Sequence, residues 1–471
     1  MKKSSSHPHR SILRWADYQS ELKTLFHLAY PIFLAQLALT GLGFLDTAMS
    51  GWVGREDLAA IGLGSSLFMP VFMISTGILL AITPLVSQLV GADQLDRISQ
   101  TLSQGLWLAL PLGLLSAFIL IKSEIILDYL SLSPKVYQLT ADYLDYVAWG
   151  LPGVALYQAL RFFWEGLGRT LPTMAISFIA LFLNIPLNAL FIYGLPGLVD
   201  PMGAAGCGVA TTLVMWSMFF IGALYVWRHP EIGHWLKRAV THRPSWHLGS
   251  KQILNIGVPN TLALLFEVSL FSFIALFVAK LGTLVLASHQ VAISYTSMAF
   301  MLPLSFAMAV TVRIAHAYGS GQKAKFQLVL RTSFSVTLAL GVGLALLTYL
   351  GRDVWVILYT QDPEVMKLAA LLLVYAASYQ IFDAVQATAA GVLRGLGDTR
   401  FTMFVTLVTY WGIGLGGGYL LGMTDVFTPR QGVEGFWLGI ILGLGAAAIL
   451  LSWRVLWQEK QFFQREIHYE T

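Results

Sequence analysis

The chain has 471 residues, of which 56% are hydrophobic and only 11% charged, and it carries a net charge of +4 at neutral pH. An average soluble domain has about 25% charged residues, so a soluble enzyme or nucleic-acid-binding module is excluded and a multi-pass membrane protein is expected. Cys207 is the single cysteine, which excludes an intrachain disulfide and a thiolate metal cluster.

The first apolar run follows about two dozen polar residues and exceeds the roughly 7–15 residues of a signal h-region, so it reads as a span and not as a cleaved leader. A membrane helix needs about 20 mostly apolar residues. The sequence predicts spans near 28–52, 60–84, 104–121, 143–163, 172–194, 203–227, 254–279, 284–311, 333–350, 368–392, 401–422 and 434–457, twelve in all. An even number puts both termini on one side. If that side is cytoplasmic, 22 of the 29 Lys and Arg residues fall in cytoplasmic segments, and the positive-inside rule assigns both ends there.

Span 1 contains TGLGFLDTAMSG, residues 40–51, with Asp46 at mid-membrane. Span 5 contains LFLNIPLN, which sets Asn184 and Asn188 one turn apart with Pro186 loosening the backbone between them. These amides suit helix–helix hydrogen bonding and ligand binding alike. Between spans 6 and 7 lies the basic stretch YVWRHPEIGHWLKRAVTHRPSWHLGSKQ, residues 225–252, which reads as a linker. Span 7 carries Glu267 in LLFEVSLF, with Phe271 one turn on. Span 8 carries Gln290 beside His289, with His316 near its end; neither histidine has a histidine partner at metal-ligand spacing, so both read as structural or interfacial. Span 10 carries Asp383 in YQIFDAVQ, with Tyr379 one turn before it.

Sliding the first half by 228 residues puts Pro31 on Pro259, Gly54 on Gly282, Thr83 on Thr311 and Gly91 on Gly319 without a gap. At an offset of 229, EGLGRTLPTM (165–174) lies over RGLGDTRFTM (394–403). The predicted organisation is therefore a first six-helix lobe over 1–240, a linker over 241–253 and a second lobe over 254–471. Each lobe starts and ends on the cytoplasmic side, so they are parallel repeats about an axis along the membrane normal, with a site between them near the midplane. That is transporter architecture.

A charge at the centre of a membrane helix costs about 2.5–3.5 kcal/mol on insertion scales, so an ionisable group there is a functional candidate by default. Asp46, Glu267 and Asp383 qualify, and none has an acidic counterpart in the other half. The alternative is a structural acid, protonated and bonded to a neighbouring helix. A pump instead needs a group that changes charge, and a carboxyl in a low-dielectric cavity exchanges its proton for a cation or an organic ammonium. An acid sharing a helix face with an aromatic ring, as Glu267 does with Phe271 and Asp383 with Tyr379, suits a flat cationic ligand.

These motifs, together with ASHQVAISYTSMAFMLPLS and YQIFDAVQATAAGVLRGLGDTR, resemble the multidrug and toxic compound extrusion (MATE) family and within it the NorM branch of bacterial sodium- or proton-coupled efflux pumps. The resemblance runs from about Glu21 to span 12. It implies an all-α fold of two six-helix lobes in a V, in a bacterial inner membrane. It implies that Asp46, Glu267 and Asp383 handle the coupling ion and cationic drug, with Tyr379 at the cation site and Phe271 and Gln290 in the cavity wall. If sodium is the coupling ion, Glu267 and Asp383 are its expected ligands. One branch of the family has a second carboxylate in span 5 where this chain has Asn188, which shifts the expected ion chemistry to the second lobe. No other cofactor and no nucleic-acid partner are expected; fluoroquinolones and cationic dyes are the implied substrates, membrane lipid the surroundings, and a monomer the working unit.

Two other classes compete. A flippase for lipid-linked saccharides on a related scaffold would want cationic side chains inside the cavity to hold a pyrophosphate, and the sequence puts no Lys or Arg at mid-span. A membrane enzyme would want an HExxH pair, a serine elbow or a Cys/His cluster, and a nucleotide-driven pump a GxxxxGK[ST] loop; the sequence has none of these.

Overall fold

The computed structural model describes residues 15–130, 132–197, 199–426 and 429–469. They form α1 (Trp15–Val53), α2 (Arg55–Leu79), α3 (Ile82–Gly91), α4 (Ile98–Lys122), α5 (Glu124–Asp128), α6 (Pro134–Ala148), α7 (Leu151–Gly166), α8 (Leu171–Ile192), α9 (Ala204–Arg228), α10 (Gly233–Ala239), α11 (Lys251–Val278), α12 (Thr283–Gly319), α13 (Lys323–Ile357), α14 (Pro363–Leu396), α15 (Thr399–Thr406), α16 (Gly418–Met423) and α17 (Val433–Tyr469). A π-helical stretch, Leu407–Gly417, joins α15 to α16 into one crossing. Short turns and buried caps fix the joints. The Asp57 carboxylate of α2, for example, accepts from the Ala204 N–H at the start of α9 at 2.8 Å, filling one of the orphan donors of that helix.

Among the described residues, eleven helical segments are long and apolar enough to cross a membrane. The expected span over 143–163 departs from its predicted form: it is divided into α6 and α7. Pro152 has no N–H for the carbonyl of Ala148, and the Gly150 N–H bonds the Val147 carbonyl at 3.0 Å instead. The backbone at Trp149 and Gly150 stays right-handed helical, so α6 and α7 form one kinked crossing, the twelfth.

The internal repeat is present in the backbone itself. Gly168 and Gly397, 229 residues apart, follow equivalent helices at φ of 78° and 80°, and Gly203 and Gly432 precede equivalent helices at 59° and 60°. These left-handed values strain any side-chain-bearing residue, which explains why the glycines recur in both halves.

Each half has its own apolar core, but the cores exchange one helix end. Leu25 of α1 is buried in the core of the second half, and Ile253 of α11, 228 residues later, is buried in the core of the first. The polar contacts between the halves cluster at the end that carries the termini: Ser87 Oγ donates to the Val312 carbonyl at 2.7 Å, Gln88 Nε2 to the Gly395 carbonyl at 2.7 Å, and Asn260 Nδ2 to the Gly77 carbonyl at 3.1 Å. Arg313 of α12 grips Glu21 of α1 with two bonds, at 2.8 and 2.6 Å.

Backbones meet at this seam. A Cβ on Gly91 would lie 2.1 Å from the His316 carbonyl oxygen, and one on Gly319 would lie 2.1 Å from that of Gln88. Because Gly91 and Gln88 correspond to Gly319 and His316 in the repeat, the contact is self-complementary, as across a two-fold axis. The molecule is thus closed on the termini side. Toward the other end, side chains such as Phe44 and Trp52 of α1 and Met298 of α12 are more than half exposed.

Candidate functional site

The polar residues predicted on α1 and α8 meet inside the first half. Asp46 Oδ1 accepts from Asn184 Nδ2 at 3.0 Å and Asn188 Nδ2 at 2.7 Å, and Asn188 Nδ2 also reaches Asn184 Oδ1 at 2.9 Å. All three residues are buried. Pro186, between the asparagines in α8, leaves the Phe182 carbonyl without its helical donor. Thr211 of α9 donates its hydroxyl to Asp46 Oδ2 at 3.2 Å, and the Cys207 thiol one turn earlier is a further neighbour. Asn188 Oδ1 is buried and has no partner. Thr211 was not predicted: hydroxyls are common in membrane helices, and only the packing of α9 on α8 picks this one out.

The second half holds a different constellation. Asp383 and Tyr379 are buried on one face of α14, and Glu267 of α11 is half-buried within electrostatic reach of Asp383. Among the described residues neither carboxylate makes an ion pair, and no hydrogen bond reaches either. Tyr379 packs its ring 6.1 Å from Trp437. Tyr410, on the π-helical stretch, feels the charge of both acids, and its buried hydroxyl has no partner. π-Helical turns recur at functional sites, and here one carries Tyr410.

Below this pair, two turns along α11 and three along α14, Arg394 Nε donates to Asn260 Oδ1 at 2.8 Å. Asn260 is the residue that bonds Gly77 across the seam. Sequence patterning put Arg394 just beyond span 10, but α14 continues to Leu396 and buries it. Arg161 is likewise buried in α7, where Glu165 one turn later pairs with it at 2.7 Å. Both arginines lie near helix ends, and Arg394 is within electrostatic reach of Glu267.

Phe271 packs against the core of the second half. Gln290 is exposed on α12, while its neighbour His289 is buried and accepts from Trp437 Nε1 at 3.2 Å. Among the described residues no hydrogen bond or ring contact ties Phe271 or Gln290 to the acids. His316 lies at the seam, where its carbonyl faces Gly91.

The arrangement therefore contains one acid held by three donors in the first half and two without donors in the second. Two neighbouring carboxylates without donors cannot both stay ionised unless a cation joins them.

Comparison with known proteins gives the same architecture. The MatE family model matches the chain twice, over residues 31–190 and 259–420, so the two matches begin 228 residues apart. The protein named "Probable multidrug resistance protein NorM" of Shewanella oneidensis is 42% identical over 440 residues, 93% of this chain and 95% of its own. The "Multidrug resistance protein MdtK" of Pectobacterium atrosepticum is 41% identical over 449 residues, 94% of this chain and 97% of its own. Among solved structures, a eukaryotic MATE transporter superposes with a TM-score of 0.83 at 22% identity, covering 95% of this chain and 99% of that one. A MATE family transporter described as outward-facing superposes with a TM-score of 0.83 at 19% identity, covering 94% and 97%.

Proposed function

Since this chain belongs to the MatE family of membrane transporters, we propose that it is a cation-coupled antiporter that exports amphipathic, mostly cationic drugs across a bacterial inner membrane, with both termini in the cytoplasm. The observation that carries this reading is the pair of acids without hydrogen-bond donors among the described residues, half-buried Glu267 of α11 and buried Asp383 of α14, within electrostatic reach of each other. One proton, one sodium ion or one cationic drug shared by the pair relieves the repulsion between its two charges, so occupation by ion and by drug is mutually exclusive in effect. Ion entry from outside releases the drug, and loss of the ion to the cytoplasm restores affinity for it. Tyr379 supplies an aromatic wall beside Asp383, and Asp46 supplies the single mid-span acid of the first half. Phe271 and Gln290 are proposed as cavity wall.

The seam on the termini side makes the described state outward-facing under this orientation, the state that releases drug and takes up the ion. The saccharide-flippase reading gains no support from Arg161, whose charge is matched by Glu165. The deciding experiment is reconstitution in liposomes with an imposed sodium or proton gradient and a cationic dye as reporter. Dye movement against its own gradient, driven by either ion, is expected; no movement with either gradient overturns the proposal.

A further inference from the structure

On the termini side of the first half, away from the seam, α1, α8 and α9 enclose a groove of about 530 Å³ lined by His27, Thr170, Ile176, Ile179, Ile221 and Tyr225, among others. A second depression, bordered by Leu224, Arg228 and His229, continues it along α9. The walls are apolar and outward-facing: Ile179 is 46% and Leu224 50% exposed. In a chain that spans a membrane such surfaces meet acyl chains.

The end of the groove is basic. Arg169 lies in the α7–α8 turn, and its guanidinium bonds His229 and Glu231. Arg228, the last residue of α9, is exposed and makes no ion pair among the described residues. Next to it, Trp227 is 51% exposed, with the Lys237 ammonium 5.5 Å from its ring centre. An exposed tryptophan at a helix end marks the level of the lipid headgroups, so Arg228 sits at phosphate depth. No acid is among the described residues that line the two depressions, and Glu231 is already taken by Arg169, which leaves the charge of Arg228 uncompensated among the described residues. A zwitterionic headgroup would bring its own ammonium to that rim, whereas an anionic one brings only the complementary charge.

We propose that this groove is a binding site for one anionic glycerophospholipid of the termini-side leaflet, with an acyl chain along Ile176, Ile179 and Ile221 and its phosphate at Arg228. Basic pockets between membrane helices on the cytoplasmic side select anionic headgroups in this way. The proposal needs only that the chain spans a membrane, and it stands apart from the transport reading. Because α1 lends His27 to the groove and Glu21 to the seam, a bound lipid would also brace α1 against α8 and α9.

The test is native mass spectrometry of the purified full-length protein equilibrated with equimolar phosphatidylglycerol and phosphatidylcholine of distinguishable mass. Preferential retention of one phosphatidylglycerol is expected. Arg228→Gln should lower that preference about fivefold, equivalent to about 1 kcal/mol for one basic residue at the surface, and Ile221→Trp, which fills the groove, should lower retention of both lipids. Equal retention of the two lipids by the wild type would overturn the proposal, as would an unchanged preference in Arg228→Gln. Displacement of phosphatidylglycerol by millimolar inorganic phosphate would overturn it too, because the acyl groove would then contribute nothing.

Discussion

Arg313 of α12 and Glu21 of α1 face each other across the two halves in a two-bond ion pair, with 16% and 5% of their side-chain surfaces exposed. The pair closes the termini side of the molecule and must part whenever that side opens. Removing one partner strands a charge that is largely out of water, at a cost of about 3 kcal/mol, the low end for buried pairs because Arg313 keeps some solvent contact. Glu21→Gln and Arg313→Gln should therefore each shift the equilibrium toward the state open on this side. Spin labels at the exposed positions Lys23 and Ala324 would report a longer distance population. An unchanged distribution in both variants would remove the pair from the gate.

The glycine contacts beside it predict a paired result. Gly91→Ala and Gly319→Ala each place a methyl 2.1 Å from a backbone carbonyl of the opposite half, and backbone has no flexible end to move aside. Both variants should insert normally, fail to close the seam and lose transport. The two losses should be of similar size, because the positions are equivalent in the repeat. A variant that transports dye at the wild-type rate would show that the seam does not need to close this tightly.

Asp46→Asn should preserve the fold and abolish drug resistance. The amide oxygen still accepts from Asn184 and Asn188, and its NH₂ can donate to the Thr211 hydroxyl, so the hydrogen bonds survive while the ionisable group does not. Thr211→Val removes only one donor and should cost about 1 kcal/mol with resistance reduced but present. Membrane abundance by immunoblot and growth in the presence of drug separate the two effects; normal resistance in Asp46→Asn would take this residue out of the transport cycle.

Glu267→Gln and Asp383→Asn each leave a single carboxyl where the wild type has two. The ion should then lose its ability to displace bound drug, even where some binding to the cavity walls survives. The measurement loads each purified variant with a fluorescent cation and titrates first sodium at fixed pH, then protons without sodium. Displacement at wild-type ion concentrations in both variants would move the coupling site to Asp46.

The sequence by itself determined the composition class, the crossings and the two-fold repeat, because these depend on local quantities: hydropathy over about 20 residues, and glycines at positions whose backbone tolerates little else. It also marked Asp46, Glu267 and Asp383, since an acid in an apolar run is conspicuous whatever surrounds it. Tertiary structure alone decided how the acids differ. Thr211, Asn184 and Asn188 converge on Asp46 from two other helices, whereas Glu267 and Asp383 lie within electrostatic reach of each other without donors among the described residues, and neither fact has a trace in local spacing. Tyr410 and Arg394 were illegible for the same reason. A tyrosine in an apolar span and an arginine at a helix end are ordinary in sequence, and only the tertiary structure brings Tyr410 within electrostatic reach of both acids and Arg394 within reach of Glu267. The kink at Pro152 and the closure on the termini side likewise follow from which carbonyls are left without donors and which backbones meet, interactions between residues as far apart as Glu21 and Arg313.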